Sequence, residues 1–294
     1  MRSIACVDQH GHVTAVLGTH NHGQGHETVF AQILSSRLGV ALDAIEIVEG
    51  DTARIAHGTG TFGSRSVAVG GSALVGAADS LIAEGKCSAA RILNVPAAEV
   101  RFDPAQGFIA LGHRLSFTEV ARASQGWRAK AEFDPASFAF SNGVHLCEVE
   151  VTRDTGEVCI LRYIAVDDVG TVINPVIVEG QLHGGVAQGL GQALKETCIY
   201  DPESGQLLSG SFLDYGLLRA QDMPGTFIDE TDQSQPFTLN PLGAKGAGEA
   251  GTIAAPAALV SAVLDALRPD GVDDLEMPLT PARVWAALQR RVRA

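Results

Sequence analysis

Residues 4–39 read IACVDQHGHVTAVLGTHNHGQGHETVFAQILSSRLG, and the order of patterns in this stretch decides the fold class. Ile4–Val7 and Val13–Gly18 are apolar strand-like runs on either side of the turn residues Asp8–His12, which predicts two neighbouring antiparallel strands. A glycine-rich loop follows, from His20 to Gly25. The apolar positions Val29, Phe30, Ile33, Leu34 and Leu38 then recur at helical spacing, and Gly39 is a suitable stop. Hairpin, glycine loop and helix thus come directly after one another. That order does not fit strict strand–helix–strand alternation, and it favours an α+β fold over a doubly wound parallel sheet.

Further along, Ala44–Glu49 alternates as a strand, and a second glycine-rich stretch runs from Gly58 to Ser66. Gly71–Leu93 reads as a long buried helix of small residues. Strands are expected near Val100–Asp103 and Gly107–Leu111, and Ser116–Glu119 opens a short helix. Residues 125–142 have no clean period and are expected to form a linker. Beyond it, His145–Val151 and Val158–Asp167 alternate around a turn at Arg153–Gly156, a second hairpin signal. A helix is expected over Val178–Lys195, then another hairpin turning at Asp201–Gly205. A third glycine loop, Gly243–Gly251, leads to a helix with Leu259, Val260, Val263, Leu264 and Leu267 on one face. Thr280 followed by Pro281 signals the start of a last helix. The expectation is α+β: two mixed sheet-and-helix subdomains, residues 1–124 and 143–294, with glycine-rich loops converging on a cofactor cleft.

Composition excludes several function classes. The 294 residues carry 21 Lys and Arg against 34 Asp and Glu, a net charge of −13, which leaves no basic face for nucleic acid or an anionic membrane. With 46% hydrophobic and 19% charged residues the chain is not disordered. No apolar run reaches the roughly 18 residues needed to span a bilayer, and Met1–His12 lacks a signal-peptide pattern. The five cysteines form no C-x-x-C pair, so no iron–sulfur cluster or zinc ribbon is expected from this chain alone. A reduced, cytoplasmic protein is the default.

Glycine is in excess: 33 residues, clustered, where about 7% of the chain is usual. Three of the clusters, around Gly23–Gly25, Gly60–Ser66 and Gly246–Gly251, each precede a helix. A helix start offers unpaired N–H groups, and glycine lets a ligand approach the backbone, so the loops suit a phosphate-bearing cofactor. Taken singly, each reads more readily as a turn and helix start. Two G-x-G-x-x-G matches, at Gly58–Gly63 and Gly246–Gly251, lack the preceding strand that a dinucleotide site needs. His20, His22 and His26 invite a zinc reading, but glycines between them disfavour the helix that pairs histidines on one metal. Glu249, set among Gly248, Ala250 and Gly251, is either a helix-end cap or a general base with open space around it.

Taken in order, the segments Gly23-Gln24-Gly25-His26-Glu27-Thr28, Gly60–Ser66, Asp167–Gly170, Asn174-Pro175, Glu179–Gly189, Asn240–Gly251 and Met277–Trp285 resemble the C-terminal half of the large subunit of xanthine oxidase-type molybdenum hydroxylases. The branch most resembled is the large subunit of aerobic carbon monoxide dehydrogenases. The resemblance implies a molybdopterin with molybdenum, in the cytosine dinucleotide form. By position it implies cofactor contacts from Gly23, Gln24, Gly25, Thr28, Ser64, Arg65, Ser66, Gln181, Lys245 and Gly246, with Glu249 as the catalytic carboxylate beside the metal. No residue of this chain is expected to ligate a metal. The implied reaction is hydroxylation of an aldehyde or N-heterocycle with water as the oxygen source. Electrons would leave through an iron–sulfur small subunit and an FAD subunit. The family's large subunits carry another half ahead of the position of Met1, so a partner chain supplying that half is expected. The competing readings are an inactive truncated remnant or assembly module without cofactor, a nucleotide-dependent oxidoreductase, and a zinc hydrolase built on the histidine loop.

Overall fold

The computed structural model describes residues 1–292, which mix helices with three small open sheets. The chain divides into two compact units, each assembled from three stretches: Met1–Phe140, Gly170–Ile177 and Gln233–Gly246 in the first, and Ser141–Val169, Val178–Asp232 and from Ala247 onward in the second.

In the first unit β1 (Arg2–Val7) and β2 (Val13–Leu17) form the expected hairpin, with Val7 opposite Val13. Helix α1 (His26–Leu38) starts at Gly25 and ends at Gly39; both glycines are left-handed, φ 79° and 68°, which a side chain would disfavour. Strand β3 (Ile45–Val48) then joins β2 in parallel. A π-helical segment, Ser66–Gly71, runs into α2 (Ser72–Leu93). Strands β4 (Arg101–Asp103), β5 (Gly107–Ala110) and β6 (His113–Leu115) make a separate antiparallel sheet. Helix α3 (Phe117–Ser124) opens with a capping box: Ser116 accepts from the Glu119 N–H, and the Glu119 carboxylate accepts from the Ser116 N–H at 2.7 Å. Strand β7 (Trp127–Glu132) pairs antiparallel with β1, giving the order β3-β2-β1-β7. Leu74, Ala77, Ala78 and Leu81 of α2 pack into one core with Phe30, Leu34, Leu17 and Phe108.

In the second unit β8 (Asn142–Thr152) and β9 (Glu157–Asp168) form a long hairpin with a register shift at Glu148/Val149. Helix α4 (Pro175–Leu194) enters this unit at Val178. Strand β10 (Thr226–Asp232) adds to β9 in parallel, in the order β10-β9-β8. Helices α5 (Ala250–Leu267) and α6 (Pro281–Val292) complete the unit. Its core gathers Tyr163, Leu190, Leu259, Val263, Leu267 and Val284. Helices α4 and α5 approach backbone to backbone through glycine: a Cβ at Gly251 would lie 2.6 Å from the Leu182 carbonyl oxygen.

Four features differ from the sequence expectations. The stretch 125–142, expected as a linker, contains β7, because Trp127, Ala129 and Ala131 face the core while Arg128 and Lys130 face solvent. The hairpin expected around Asp201–Gly205 is reduced to one isolated bridge between Tyr200 and Leu207, both exposed. Strands β6 and β10 were not anticipated. Stretches 66–93 and 250–270 have the length and composition of a membrane-crossing helix, where no apolar run of that length was expected; the first carries the core residues of α2.

Candidate cofactor site

The three glycine loops of the sequence do precede α1, the π-helical entry to α2, and α5. Within the first unit, parts of all three meet. Thr61 Oγ1 donates to the His20 carbonyl at 2.7 Å and accepts from the His20 N–H at 3.1 Å, tying the second loop to the first. The same oxygen lies 2.9 Å from Ser66 Oγ, whose hydroxyl can donate to it. The third loop closes on the second at Gly246. Its N–H donates to Ala139 O at 2.9 Å, and a Cβ there would stand 2.5 Å from the Ser64 carbonyl oxygen. Only glycine permits that approach without backbone movement.

Arg65 lies where these loops meet. Its guanidinium stacks 4.1 Å over the Phe62 ring, and Nη2 donates to Thr59 Oγ1 at 3.3 Å. Its Nε is buried without a hydrogen-bond partner among the described residues. A buried, unpaired guanidinium N–H is costly and calls for an acceptor. Gly60 and Gly63 beside it have φ of 73° and 61°, with no described atom within 4 Å of where their Cβ atoms would be, and Ser64 is also left-handed. Arg65 also lines a cavity of about 270 Å³ with Phe133, Phe138, Phe237 and Asn240. An open turn beside a donor lacking an acceptor fits an anionic group such as a phosphate.

At the first loop, Gln24 folds back on its own turn, donating from Nε2 to His20 O and accepting the His22 N–H. The start of α1 has no side-chain cap, so its first N–H groups have no side-chain acceptor. Gly23, at φ 99°, has open space before it, and Thr28 is exposed on the first turn. The histidines do not assemble a zinc site. His26 turns inward, with Nδ1 3.1 Å from Glu49 Oε1, while His20 and His22 stay exposed with ring centroids 4.6 Å apart. Thr19 donates to the same Glu49 oxygen. Both side chains of the His26–Glu49 pair are buried, and the pair anchors the start of α1 against the residues after β3. Thr61 and Glu49 were not singled out from sequence; neither a lone threonine in a loop nor a carboxylate at a strand end carries a local signature.

In the second unit, Gln181 on α4 and Glu249 before α5 lie close to the point where the two helices touch. Gly251, two residues after Glu249, packs on the carbonyl of Leu182, the neighbour of Gln181. Glu249 occupies the N-cap position of α5 with φ −110°, yet its side chain makes no capping bond to the helix. The plain cap reading of this residue is therefore not realised. The carboxylate is exposed, at the positive end of α5. Lys245, half-buried, and Gly246 belong to the first unit, and Glu249 to the second.

The chain is thus mixed α+β, with glycine-rich turns before three of its helical segments and a carboxylate at a helix start. Residues 3–224 match the molybdopterin cofactor-binding domain family, and the chain belongs to it. It is 35% identical over 291 residues to the carbon monoxide dehydrogenase large chain of Hydrogenophaga pseudoflava, covering 95% of this chain and 36% of that protein. It is 36% identical over 295 residues to the nicotine 6-hydroxylase large subunit of Paenarthrobacter nicotinovorans, covering 96% of this chain and 36% of the relative. Among solved structures, quinoline 2-oxidoreductase from Pseudomonas putida 86 superposes with a TM-score of 0.90 at 33% identity, over 99% of this chain and 38% of that one. The chain thus spans about a third of the length of the curated relatives it matches.

Proposed function

We propose that this chain is the molybdopterin-holding part of a molybdenum hydroxylase that oxidises an aldehyde or an N-heterocycle with water as oxygen donor. It would work in the cytoplasm, together with the remainder of a large subunit, an iron–sulfur small subunit and an FAD subunit. The observation that carries the reading is the meeting of three glycine loops around Arg65, whose buried Nε has no acceptor among the described residues. The quinoline and nicotine enzymes among its relatives, named for N-heterocycles, support that substrate class.

In this reading Arg65 and the N–H groups of the turn Gly60–Ser66 hold the phosphates of a cytosine dinucleotide. Gly23, Gln24, Gly25 and Thr28 line the first loop's share of the cofactor, Ser66 fixes the second loop, and Gln181, Lys245 and Gly246 supply further contacts. The bound cofactor supplies the two-electron redox chemistry. Glu249 accepts the proton that water gives up as its oxygen becomes nucleophilic, and the carboxylate holds that proton at an Oε atom.

The test compares Glu249→Gln and Arg65→Ala in the assembled enzyme. Glu249→Gln is expected to retain molybdenum at wild-type stoichiometry while turnover of a quinoline-type substrate falls by about 10²–10⁴-fold, the usual contribution of a positioned general base. Arg65→Ala is expected to lower molybdenum content itself. Wild-type turnover in the glutamine variant removes the role of Glu249, and full molybdenum loading in the alanine variant removes that of Arg65.

A further inference from the structure

A third cluster of polar side chains lies in the second unit and has no part in the reaction proposed above. Glu179 and His183 are four residues apart on α4, so they share one face of the helix. Asp229 reaches them from β10, the edge strand of its sheet. His183 Nε2 is hydrogen bonded to Asp229 Oδ1 at 3.0 Å, and the potential ligand atoms of all three residues lie within 4.8 Å of one another. The His183 ring stands edge-on to Phe227, with centroids 4.6 Å apart, which fixes its plane. Gly180 and Gly184 flank the ligands on the helix, and no described atom lies within 4 Å of where their Cβ atoms would be, leaving room for water ligands.

We propose that Glu179, His183 and Asp229 form a binding site for a divalent first-row transition cation, of which zinc is the probe, and that the cation clips β10 to α4. One imidazole and two carboxylates are a donor set that zinc accepts, whereas calcium and magnesium prefer oxygen alone. Around zinc at Zn–N and Zn–O distances of about 2.1 Å, tetrahedral ligand atoms stand roughly 3.4 Å apart, between the 3.0 Å and 4.8 Å found here. Closure needs only a rotamer adjustment of Glu179, which is exposed, and replacement of the His183–Asp229 hydrogen bond by two bonds to the ion. Three protein ligands leave one position for water. Because β10 pairs with β9 alone among the described residues, a tie to α4 restrains its free edge.

The test is equilibrium dialysis of the purified protein against Zn²⁺, followed by metal analysis and by amide hydrogen exchange over 226–232 with and without zinc. The expected result is one zinc dependent on this cluster, absent from both His183→Ala and Glu179→Gln, kept by His22→Ala, and accompanied by slower exchange in β10. Glu179→Gln alters an exposed side chain, so loss of zinc there cannot be assigned to unfolding. Equal zinc in the wild type and Glu179→Gln, no zinc in the wild type, loss in His22→Ala instead, or zinc without a change in β10 exchange overturns the proposal.

Discussion

Cys147 is a residue whose chemistry its surroundings alter plainly. It lies on β8, half-buried against the core of the second unit beside Tyr163, and loss of water around the sulfur pushes its thiol from 9.0 up to about 11. Burial raises the Tyr163 hydroxyl in the same direction. Tyr163 also holds His145, whose Nδ1 lies 2.7 Å from the phenol oxygen and whose Nε2 lies 3.1 Å from Asp167 Oδ2, so the buried polar atoms satisfy one another. Two consequences follow for Cys147. At pH 8 it remains a thiol, so iodoacetamide is expected to modify the exposed Cys87, Cys159 and Cys198 first and to spare Cys147, as peptide mass mapping would record. A thiol whose folded value is raised contributes stability below pH 9 and loses it as pH climbs through 11. The thermal midpoint is therefore expected to decline over that window, and to decline less in Cys147→Ala. Early alkylation of Cys147 would contradict both.

Among the secondary elements, α4 and α5 meet at a close backbone approach. A methyl group on Gly251 would press at 2.6 Å on the Leu182 carbonyl and at 2.7 Å on the Val186 nitrogen, both main-chain atoms that cannot turn aside. Gly251→Ala is expected to cost about 1–3 kcal/mol by forcing the helices apart. Gly184→Ala, on the same helix α4 but facing open space, is expected to gain about 0.5–1 kcal/mol through helix propensity. Opposite shifts in the urea midpoint would check the pair; shifts of the same sign would mean that α4 and α5 do not touch at Gly251. Sequence alone could not separate these two glycines. Most helices were legible because period and caps agree: Val29 to Leu38 before Gly39 gives α1, and Ser116 with Glu119 gives the start of α3. Strand β10 was not legible. Its alternation, Phe227 and Asp229 half-buried with Thr226, Ile228 and Glu230 out, becomes a strand only through pairing with β9, some sixty residues earlier in sequence. The candidate site followed the same division. Gln24, Ser64, Arg65, Gln181 and Glu249 stood out because they sit in ordered motifs, whereas Thr61 acquires a role only once its hydroxyl is found between two loops.

For the whole molecule, the decisive fact is that the chain changes unit at 140/141, 169/170, 177/178, 232/233 and 246/247. A sequence-based boundary near residues 125–142 looks natural because the alternating pattern of the β8–β9 hairpin begins just beyond it. Yet the core of the first unit is completed by residues far downstream: Ile173, Ile177 and Leu242 all pack against it. Gly25 and Gly71 show how closely. A Cβ at Gly25 would stand 2.7 Å from Ile177 Cδ1, and one at Gly71 would stand 2.8 Å from a Leu242 methyl. Asn174 adds a polar tie, donating from Nδ2 to Gln32 Oε1 of α1 at 3.0 Å. A fragment of residues 1–142 retains β1 to β7 and α1 to α3 but loses these side chains, uncovering apolar surface on α1 and at the entry to α2. Full burial of one large aliphatic side chain contributes about 1.5–3 kcal/mol, and these three are partly buried, so removing them takes away about a few kcal/mol of the roughly 5–15 kcal/mol that holds a domain folded. The fragment is therefore expected to bind a hydrophobic dye such as ANS and to melt well below the full chain. A version in which segments 170–177 and 233–246 are appended through flexible linkers should recover part of the difference. If residues 1–142 alone instead unfold cooperatively at the temperature of the full chain, without dye binding, the downstream segments are ornaments on a domain that is complete before residue 143, and the sequence-based boundary is the physical one.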